Sequence, residues 1–407
     1  MSKRVVVSGI GLVTPLGVGK TAFQEQLFDG ACGIRPISLF DTSCFASKLG
    51  AEVVGFVPKD FLRPLGIRRM DRLSQMMAAA ARMAVEDAGL TIGEQNRDRV
   101  GVMLGTCFGG TDVAAQFGKV LFTDGPRRVN PILVPNTVMN APAGHVAIEL
   151  GVRGINTTVN HREVSAETAL TYAAAQIMRS RVDAVLTGGG DILSEFCFNV
   201  FSHFKTLSPQ NAEAEGLHPF DVRRNGTILG EGVGILCLES LESAEARGIS
   251  PYCEIVGWGL SSAPAAPNNW PLEPTGPCLA ITRALAAAGI APGDIDYICA
   301  SANGGKRLDK LEADTLQQVF SGNLKGPRVT ALKGALGEGL SSCGMRMAAM
   351  ALSLRYQRTV PIAGLHEPMS KLNFVYAPQA QTPIRYGLIN GISSGGTFVA
   401  LILKKIE

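Results

Sequence analysis

No stretch of this chain reaches the roughly 20 uncharged apolar residues that a membrane-spanning helix needs, so a membrane protein of that kind is not expected. No run of lysine and arginine is long enough to track a phosphate backbone, and the formal net charge is only +3. Nucleic acid is therefore not an expected partner. The nine cysteines are scattered without a Cys-x-x-Cys pair. That leaves metal-ligand spacing unsupported, and thiols in a reducing compartment are the simpler reading. Met1-Ser2-Lys3-Arg4 leads straight into Val5-Val6-Val7, without the apolar core and small-residue cleavage site of a signal peptide. A cytoplasmic location is expected. What the chain does have is length and apolar content: 407 residues, 46% hydrophobic and only 18% charged. Such a chain can bury a large core, and its length suits two fused layers or halves.

Short β-rich runs alternate with Ala-rich helical runs. Strands are expected at Arg4–Ser8, Arg99–Gly105, Ala184–Leu186, Gly232–Glu239, Cys253–Gly259, Asp296–Cys299, Tyr386–Asn390 and Thr397–Leu403. Helices are expected at Thr21–Phe28, Ser74–Ala88, Ala141–Leu150, Ser165–Ser180, Pro277–Ala288, Lys310–Phe320 and Gly344–Arg355. The Ser165–Ser180 run is nearly uncharged on most faces, which predicts burial all round. Repeated βα units with apolar strands predict an α/β fold of parallel sheets covered on both faces. Two similar halves, 1–250 and 251–407, suggest an internal duplication.

The segment Thr158-Val159-Asn160-His161-Arg162-Glu163-Val164-Ser165-Ala166 carries the most information. It is followed by the buried helix and by Asp183-Ala184-Val185-Leu186-Thr187-Gly188-Gly189-Gly190. Further blocks are Val6-Val7-Ser8-Gly9-Ile10-Gly11, Phe204-Lys205-Thr206-Leu207-Ser208, His218-Pro219-Phe220-Asp221, and Gly230-Glu231-Gly232-Val233-Gly234. Their order resembles the β-ketoacyl synthases of the thiolase superfamily over nearly the whole chain. The resemblance implies a thiolase-like α-β-α-β-α layered core. In that family a cysteine thiolate at the start of the buried helix holds the acyl chain, and two histidines assist decarboxylation and condensation. Glu163 stands at the cysteine position. Ser301 and Glu338 stand at the histidine positions, and the family's lysine is kept as Lys333. The glycine turn is kept as Gly395-Gly396, with Ser394 in place of its gatekeeper phenylalanine.

Loss of all three reacting groups within a preserved frame resembles the chain-length factors, the KSβ subunits of type II polyketide synthases. That resemblance implies no catalytic residue and no cofactor or metal in this chain. It implies a cysteine-bearing KSα partner in a heterodimer, and an acyl carrier protein with a phosphopantetheine arm. It also implies a tunnel at the shared interface that sets polyketide length, with Thr111, Ala114 and Gly118 at its lining positions and Phe117 beside them. Two alternatives stand beside it: a malonyl carrier-protein decarboxylase using Asn303, His161 or Lys333, and a scaffold that only docks partners. A carboxylate at a helix amino terminus is favoured by roughly 0.3–1 kcal/mol. The family geometry suggests that Glu163 and Glu338 both face Lys333 in a closed ionic cluster, against the plainer pairing of Glu163 with Arg162 or His161.

Gly17-Val18-Gly19-Lys20-Thr21 looks like half of a phosphate loop, but Thr14 stands where its first glycine belongs. Cys107, Cys299 and Cys343 read as buried small hydrophobes rather than surrogate nucleophiles. Arg68, Arg69 and Arg72 are surface cations available to an acidic carrier protein.

Overall fold

The computed structural model describes residues 3–211, 213–321 and 326–407. The first five long strands are β1 (Val5–Thr14), β2 (Val100–Gly105), β3 (Asn156–Val159), β4 (Ala184–Asp191) and β5 (Gly232–Ser240). They lie side by side in the order β3-β2-β4-β5-β1. The next five are β6 (Cys253–Ser262), β7 (Tyr297–Cys299), β8 (Arg328–Thr330), β9 (Tyr386–Ile392) and β10 (Thr397–Lys405). They lie in the order β8-β7-β9-β10-β6. Counted along the chain, both sets therefore read third, second, fourth, fifth, first. Strand directions match as well: the second strand runs parallel to the third and fourth, while the fifth runs antiparallel to the fourth and first. Val5–Val7 of β1 pairs with Cys253–Ile255 of β6 and joins the two sets into one mixed sheet.

Helices α1 (Arg72–Asp87), α2 (Thr111–Asp124), α3 (Ala141–Leu150) and α4 (Ser165–Met178) belong to the first half, with α5 (Glu195–His203) after β4. The second half supplies α6 (Thr275–Ala288), α7 (Lys306–Phe320) and α8 (Cys343–Tyr356). Helix α1 covers β1 and β5 from outside, and α6 covers β6 and β10. Helices α4 and α8 each touch strands of both halves, so they form the middle layer of an α-β-α-β-α stack. Their residues confirm it: every position from Cys343 to Leu354 is buried, as is all of Ser165–Thr171. Among the described residues no helix is long and apolar enough to cross a membrane.

The middle layer sits unusually close to its sheet because glycines remove side chains at the contact. Gly234 on β5 faces Gly344 on α8, and a Cβ on either would run into the other's backbone. The same requirement explains a difference from the expected Ala184–Leu186 strand. Strand β4 continues through Gly188, Gly189 and Gly190, whose bare backbones pass close to β5 and β2. Glycine has low strand propensity, and close packing overrides it here.

Candidate functional site

Strand β3 ends at Val159, and the chain turns sharply into α4 through a single 3-10 turn at Arg162–Val164. Arg162 takes a left-handed φ of 55°, a conformation that costs a non-glycine residue about 1–3 kcal/mol. Neighbours hold it there. The Ser165 hydroxyl donates to the Arg162 carbonyl at 2.6 Å and accepts from the His161 N–H at 2.9 Å. The Arg162 guanidinium donates to Asn268 Oδ1 at 2.5 Å. The turn points Glu163 across the molecule towards the loop between β9 and β10.

The Glu163 carboxylate is seated on that loop. Ser393 Oγ donates to Oε2 at 2.7 Å, and the Ser394 N–H donates to the same oxygen at 3.2 Å. Ser394 Oγ donates to Oε1 at 2.8 Å. Gly395 and Gly396, both at φ 84°, bend the loop so that these donors converge. Arg162 Nε stands farther off at 3.8 Å, and the Glu163 side chain is only 12% exposed. Charge-assisted hydrogen bonds to both oxygens hold the group as a seated anion. Both carboxylate oxygens are engaged by donors of this loop.

The expected cluster of two glutamates around one lysine does not form. Lys333 Nζ bonds Glu338 Oε2 at 2.7 Å, and Asn303 Nδ2 donates to the same oxygen at 2.8 Å. Glu338 Oε1 accepts the Leu340 N–H at 3.0 Å. Among the described residues the ion pairs of Glu163 and Lys333 are separate. The physical reason is local. Lys333 opens the short helix Lys333–Leu336 and Glu338 follows the left-handed Gly337, so they close on one another within a few residues. Glu163 meets the serines first. Its pairing with Arg162 is the plainer arrangement anticipated from the sequence.

Ser301, expected from the resemblance at a histidine position, makes a structural bond. Its hydroxyl donates to the Asn390 carbonyl at 2.7 Å and accepts from the Ile392 N–H at 3.2 Å, tying the loop after β7 to β9. Asp309 steadies the same loop from below, accepting the Asn303 N–H at 3.0 Å and the Phe220 N–H at 2.8 Å. Burial pushes the Asp309 carboxyl up to about 7, against the pull of those two backbone donors; Glu312 adds to the rise and Arg224 opposes it. For an acid raised in the folded state, the folded chain keeps a proton that the unfolded chain has released. Stability should therefore fall as pH rises from about 4 to about 7, by at most about 1.4 kcal/mol per unit. Urea unfolding at about pH 5 and about pH 8 should show this slope weakened in Asp309→Asn. An identical slope in both proteins would remove the assignment.

Sequence reasoning missed the most deeply buried ion pair among the described residues. Arg346 on α8 donates to Glu167 Oε1 on α4 at 2.9 Å, with side-chain exposures of 2% and 0%. It also donates to the carbonyls of Cys299 and Asn390 at 2.9 and 2.6 Å. A signal was available: each is the one charged residue in an otherwise uncharged helical run (Ser165–Met178 and Cys343–Leu354), and a charge buried that deeply needs a partner.

Two cavities meet at Glu163. One, about 320 Å³, is rimmed by exposed Lys306 and Arg307 and reaches Asn303 and Glu338. The other, about 440 Å³, is mainly apolar, walled by Phe108, Met139 and Phe204. Glu163, Phe201, Thr206, Trp270 and Leu340 line both. Of the four expected tunnel positions, Thr111 lines the apolar cavity. Ala114, Phe117 and Gly118 sit half-buried farther along α2 and line neither.

The remaining candidates divide clearly. Burial raises the thiols of Cys107, Cys299 and Cys343 above their ordinary value, Asp191 and Glu163 adding to the effect at Cys107. They stay protonated and unreactive. Lys20 is paired with Asp87, which leaves it no role in cradling a phosphate. Arg72 is tied to the fully buried Glu231 at 2.5 Å, so it is not a free surface cation, whereas Arg68 and Arg69 are exposed. His161 is exposed and lines neither cavity. Among the described residues no group of three His, Cys, Asp or Glu is placed to hold a metal ion.

Comparison with known proteins agrees with this architecture. The chain is 32% identical to 3-oxoacyl-[acyl-carrier-protein] synthase 2 of Staphylococcus aureus (strain COL), covering 100% of this chain and 99% of that protein. It is 31% identical to the protein of the same name from Coxiella burnetii, over 99% of each. Among solved structures, the ishigamide ketosynthase/chain length factor superposes with a TM-score of 0.92 at 31% identity over 100% of both chains. A β-ketoacyl synthase from Burkholderia phymatum superposes with a TM-score of 0.91 at 26% identity, also over 100% of both. The family model for the N-terminal domain of β-ketoacyl synthases matches residues 2–244, and that for the C-terminal domain matches residues 252–366. By sequence and by fold, the chain belongs to the β-ketoacyl synthase family of the thiolase superfamily.

Proposed function

We propose that this chain is a non-catalytic ketosynthase-like subunit, a chain-length factor. In this reading it pairs with a cysteine-bearing ketosynthase and shapes the tunnel that sets polyketide length. Residues 1–250 and 251–407 act as two halves, each contributing one central helix. The observation that carries the reading is the seating of Glu163: where the family's nucleophile belongs, a carboxylate is bound by Ser393 and Ser394. No low-lying thiol replaces it nearby. The similarity to a ketosynthase/chain length factor structure supports the same reading.

A partner face is also supported. Strand β3 ends the sheet with one side unpaired among the described strands. Earlier in the same half, Phe122, Ile132, Val134, Val138 and Met139 are exposed, Phe122 at 88%. Exposed apolar side chains and an open strand edge each suit a second subunit. A carrier protein bearing a phosphopantetheine arm would supply the substrate to the pair.

The full-length similarity to 3-oxoacyl-[acyl-carrier-protein] synthase 2 favours a second reading, an enzyme acting alone. Purified chain with malonyl carrier protein separates the two. A non-catalytic subunit yields neither condensation nor carbon dioxide, and yields product only when the cysteine-bearing partner is added. Release of carbon dioxide by the chain alone would favour a decarboxylase.

The tunnel is tested by bulk on α2. A Cβ added to Gly118 meets nothing within 4 Å, so the backbone there has room for a side chain. In the assembled pair, Ala114→Phe or Gly118→Phe should shorten the product by at least one two-carbon unit, read by mass spectrometry. Unchanged product length would favour a subunit that only docks partners.

A further inference from the structure

We propose that Glu163 is a clasp between the two halves: it fastens the loop 393–396, and through that loop the segment 263–274, so that the wall shared by the two cavities keeps one shape. The fold places carboxylate ties crosswise. Glu163 stands two residues before the first residue of α4, and it holds Ser393 and Ser394, which follow β9, the fourth strand of the other half. Ser341 stands two residues before the first residue of α8. Its N–H donates at 3.2 Å to Asp191, the last residue of β4, the fourth strand of the first half. Each inward helix is therefore anchored at its start to the far half. Asp191 also accepts from Thr106 Oγ1 at 2.7 Å and from the Phe108 N–H at 2.9 Å, so its own tie reaches the loop after β2.

The tie made by Glu163 reaches further. Gly395 donates its N–H to the Asn269 carbonyl at 2.8 Å, and Ala263 donates its N–H to the Gly396 carbonyl at 2.9 Å. A Cβ on Gly396 would run into the Ala263 carbonyl, so the two backbones lie against each other. From the other side, Arg162 donates to Asn268 Oδ1 and Arg307 to Asn269 Oδ1, both at 2.5 Å. The segment 263–274 carries Trp270, which lines both cavities. Freeing the loop 393–396 therefore also loosens two backbone bonds that hold that wall.

A carboxylate suits the task because two hydroxyls and one N–H converge on it. An ionised carboxylate only accepts, and its two oxygens offer about four sites. A glutamine offers one oxygen and two N–H groups, which would face donors. Charge-assisted bonds of this kind are also roughly twice as strong as neutral ones. The Glu163 side chain is 12% exposed, so solvent replaces little of what its removal would take away. The inference holds whether or not the chain pairs with a ketosynthase, and its test reads neither condensation nor product length.

The test is hydrogen exchange of the full chain, read by mass spectrometry on peptides covering 263–274 and 392–397. In Glu163→Gln and in Glu163→Ala both peptides should exchange at least about tenfold faster than in the parent, as expected for loss of a charge-assisted contact. Exchange inside α4, at residues 169–174, should stay within about twofold of the parent. The double variant Ser393→Ala, Ser394→Ala removes the hydroxyl donors without touching the turn before α4, and should loosen the same two peptides. If the Glu163 variants do not fold, the serine variant decides on those peptides. The chain has two tryptophans, so Trp258→Phe leaves Trp270 as the sole indole reporter. In that background acrylamide should quench Trp270 more strongly once Glu163 is replaced. Unchanged exchange in both peptides overturns the proposal, as does unchanged quenching. Loosening confined to 392–397 overturns it too, since other contacts would then hold the wall. So does faster exchange that spreads equally into α4, because Glu163 would then support the fold at large rather than fasten one loop.

Discussion

Replacing Arg346 with methionine is expected to destabilise the chain by about 3–5 kcal/mol, the usual cost of removing one partner of a buried ion pair. The guanidinium lies between α4 and α8, the two helices that touch both halves of the sheet. Its loss strands the Glu167 carboxylate in a fully buried site, and the carbonyls of Cys299 and Asn390 lose a donor each. Burial already pushes the Glu167 carboxyl up, and Arg346 is the chief influence opposing that. Without the arginine, Glu167 would have to take up a proton. The double replacement Glu167→Met, Arg346→Met should recover part of the loss, since two apolar side chains of similar volume often match a buried pair. Recovery should be incomplete because the two carbonyls stay unpaired. Urea unfolding of the three proteins measures this. A single variant within about 1 kcal/mol of the parent would mean that the pair does not hold the middle layer.

The second large effect concerns chemistry. Glu163→Cys is expected to leave the purified chain unable to condense acyl groups, although it restores a thiol at the start of α4. The new thiol would sit among groups arranged for other purposes. The Ser301 hydroxyl is committed to the Asn390 carbonyl, and Glu338 is locked to Lys333 and Asn303. Neither position offers an imidazole to move a proton or stabilise an enolate. Each absent general acid or base typically costs about 10²–10⁴-fold in rate. Mass spectrometry should find an acyl adduct on the new thiol with no elongated product on the carrier protein. Elongation within about tenfold of a cysteine-bearing ketosynthase would show that the surroundings of Glu163 still support the reaction.

The sequence made the central layers legible. The uncharged run after Glu163 predicted a helix buried on all sides, and α4 is that helix. The runs ending at Phe320 and Arg355 likewise lie in α7 and α8. Strand lengths were less legible. Strand β1 runs on to Thr14 through Gly9 and Gly11, residues that local propensity counts against a strand. Both glycines lie under the backbone of α1, a contact between parts of the chain about 70 residues apart. The site divides in the same way. Which residues stand at Glu163, Ser301, Glu338 and Lys333 follows from motif order alone. What each one touches does not. Glu163 is held by serines about 230 residues away, in a loop whose motif was noted only for its glycines and its altered gatekeeper. Lys333 was taken up by the nearer of two carboxylates, and distance along the chain decided it.

The matching strand succession of the two halves carries a final consequence. Each half sends one helix inward after its third strand, and the two are fastened by a guanidinium and a carboxylate lying deeper than the residues at their mouths. Architecture and chemistry are therefore mechanically decoupled. Residues at the mouths could be exchanged one at a time while the shape of the chain, and any surface fitted to that shape, is kept.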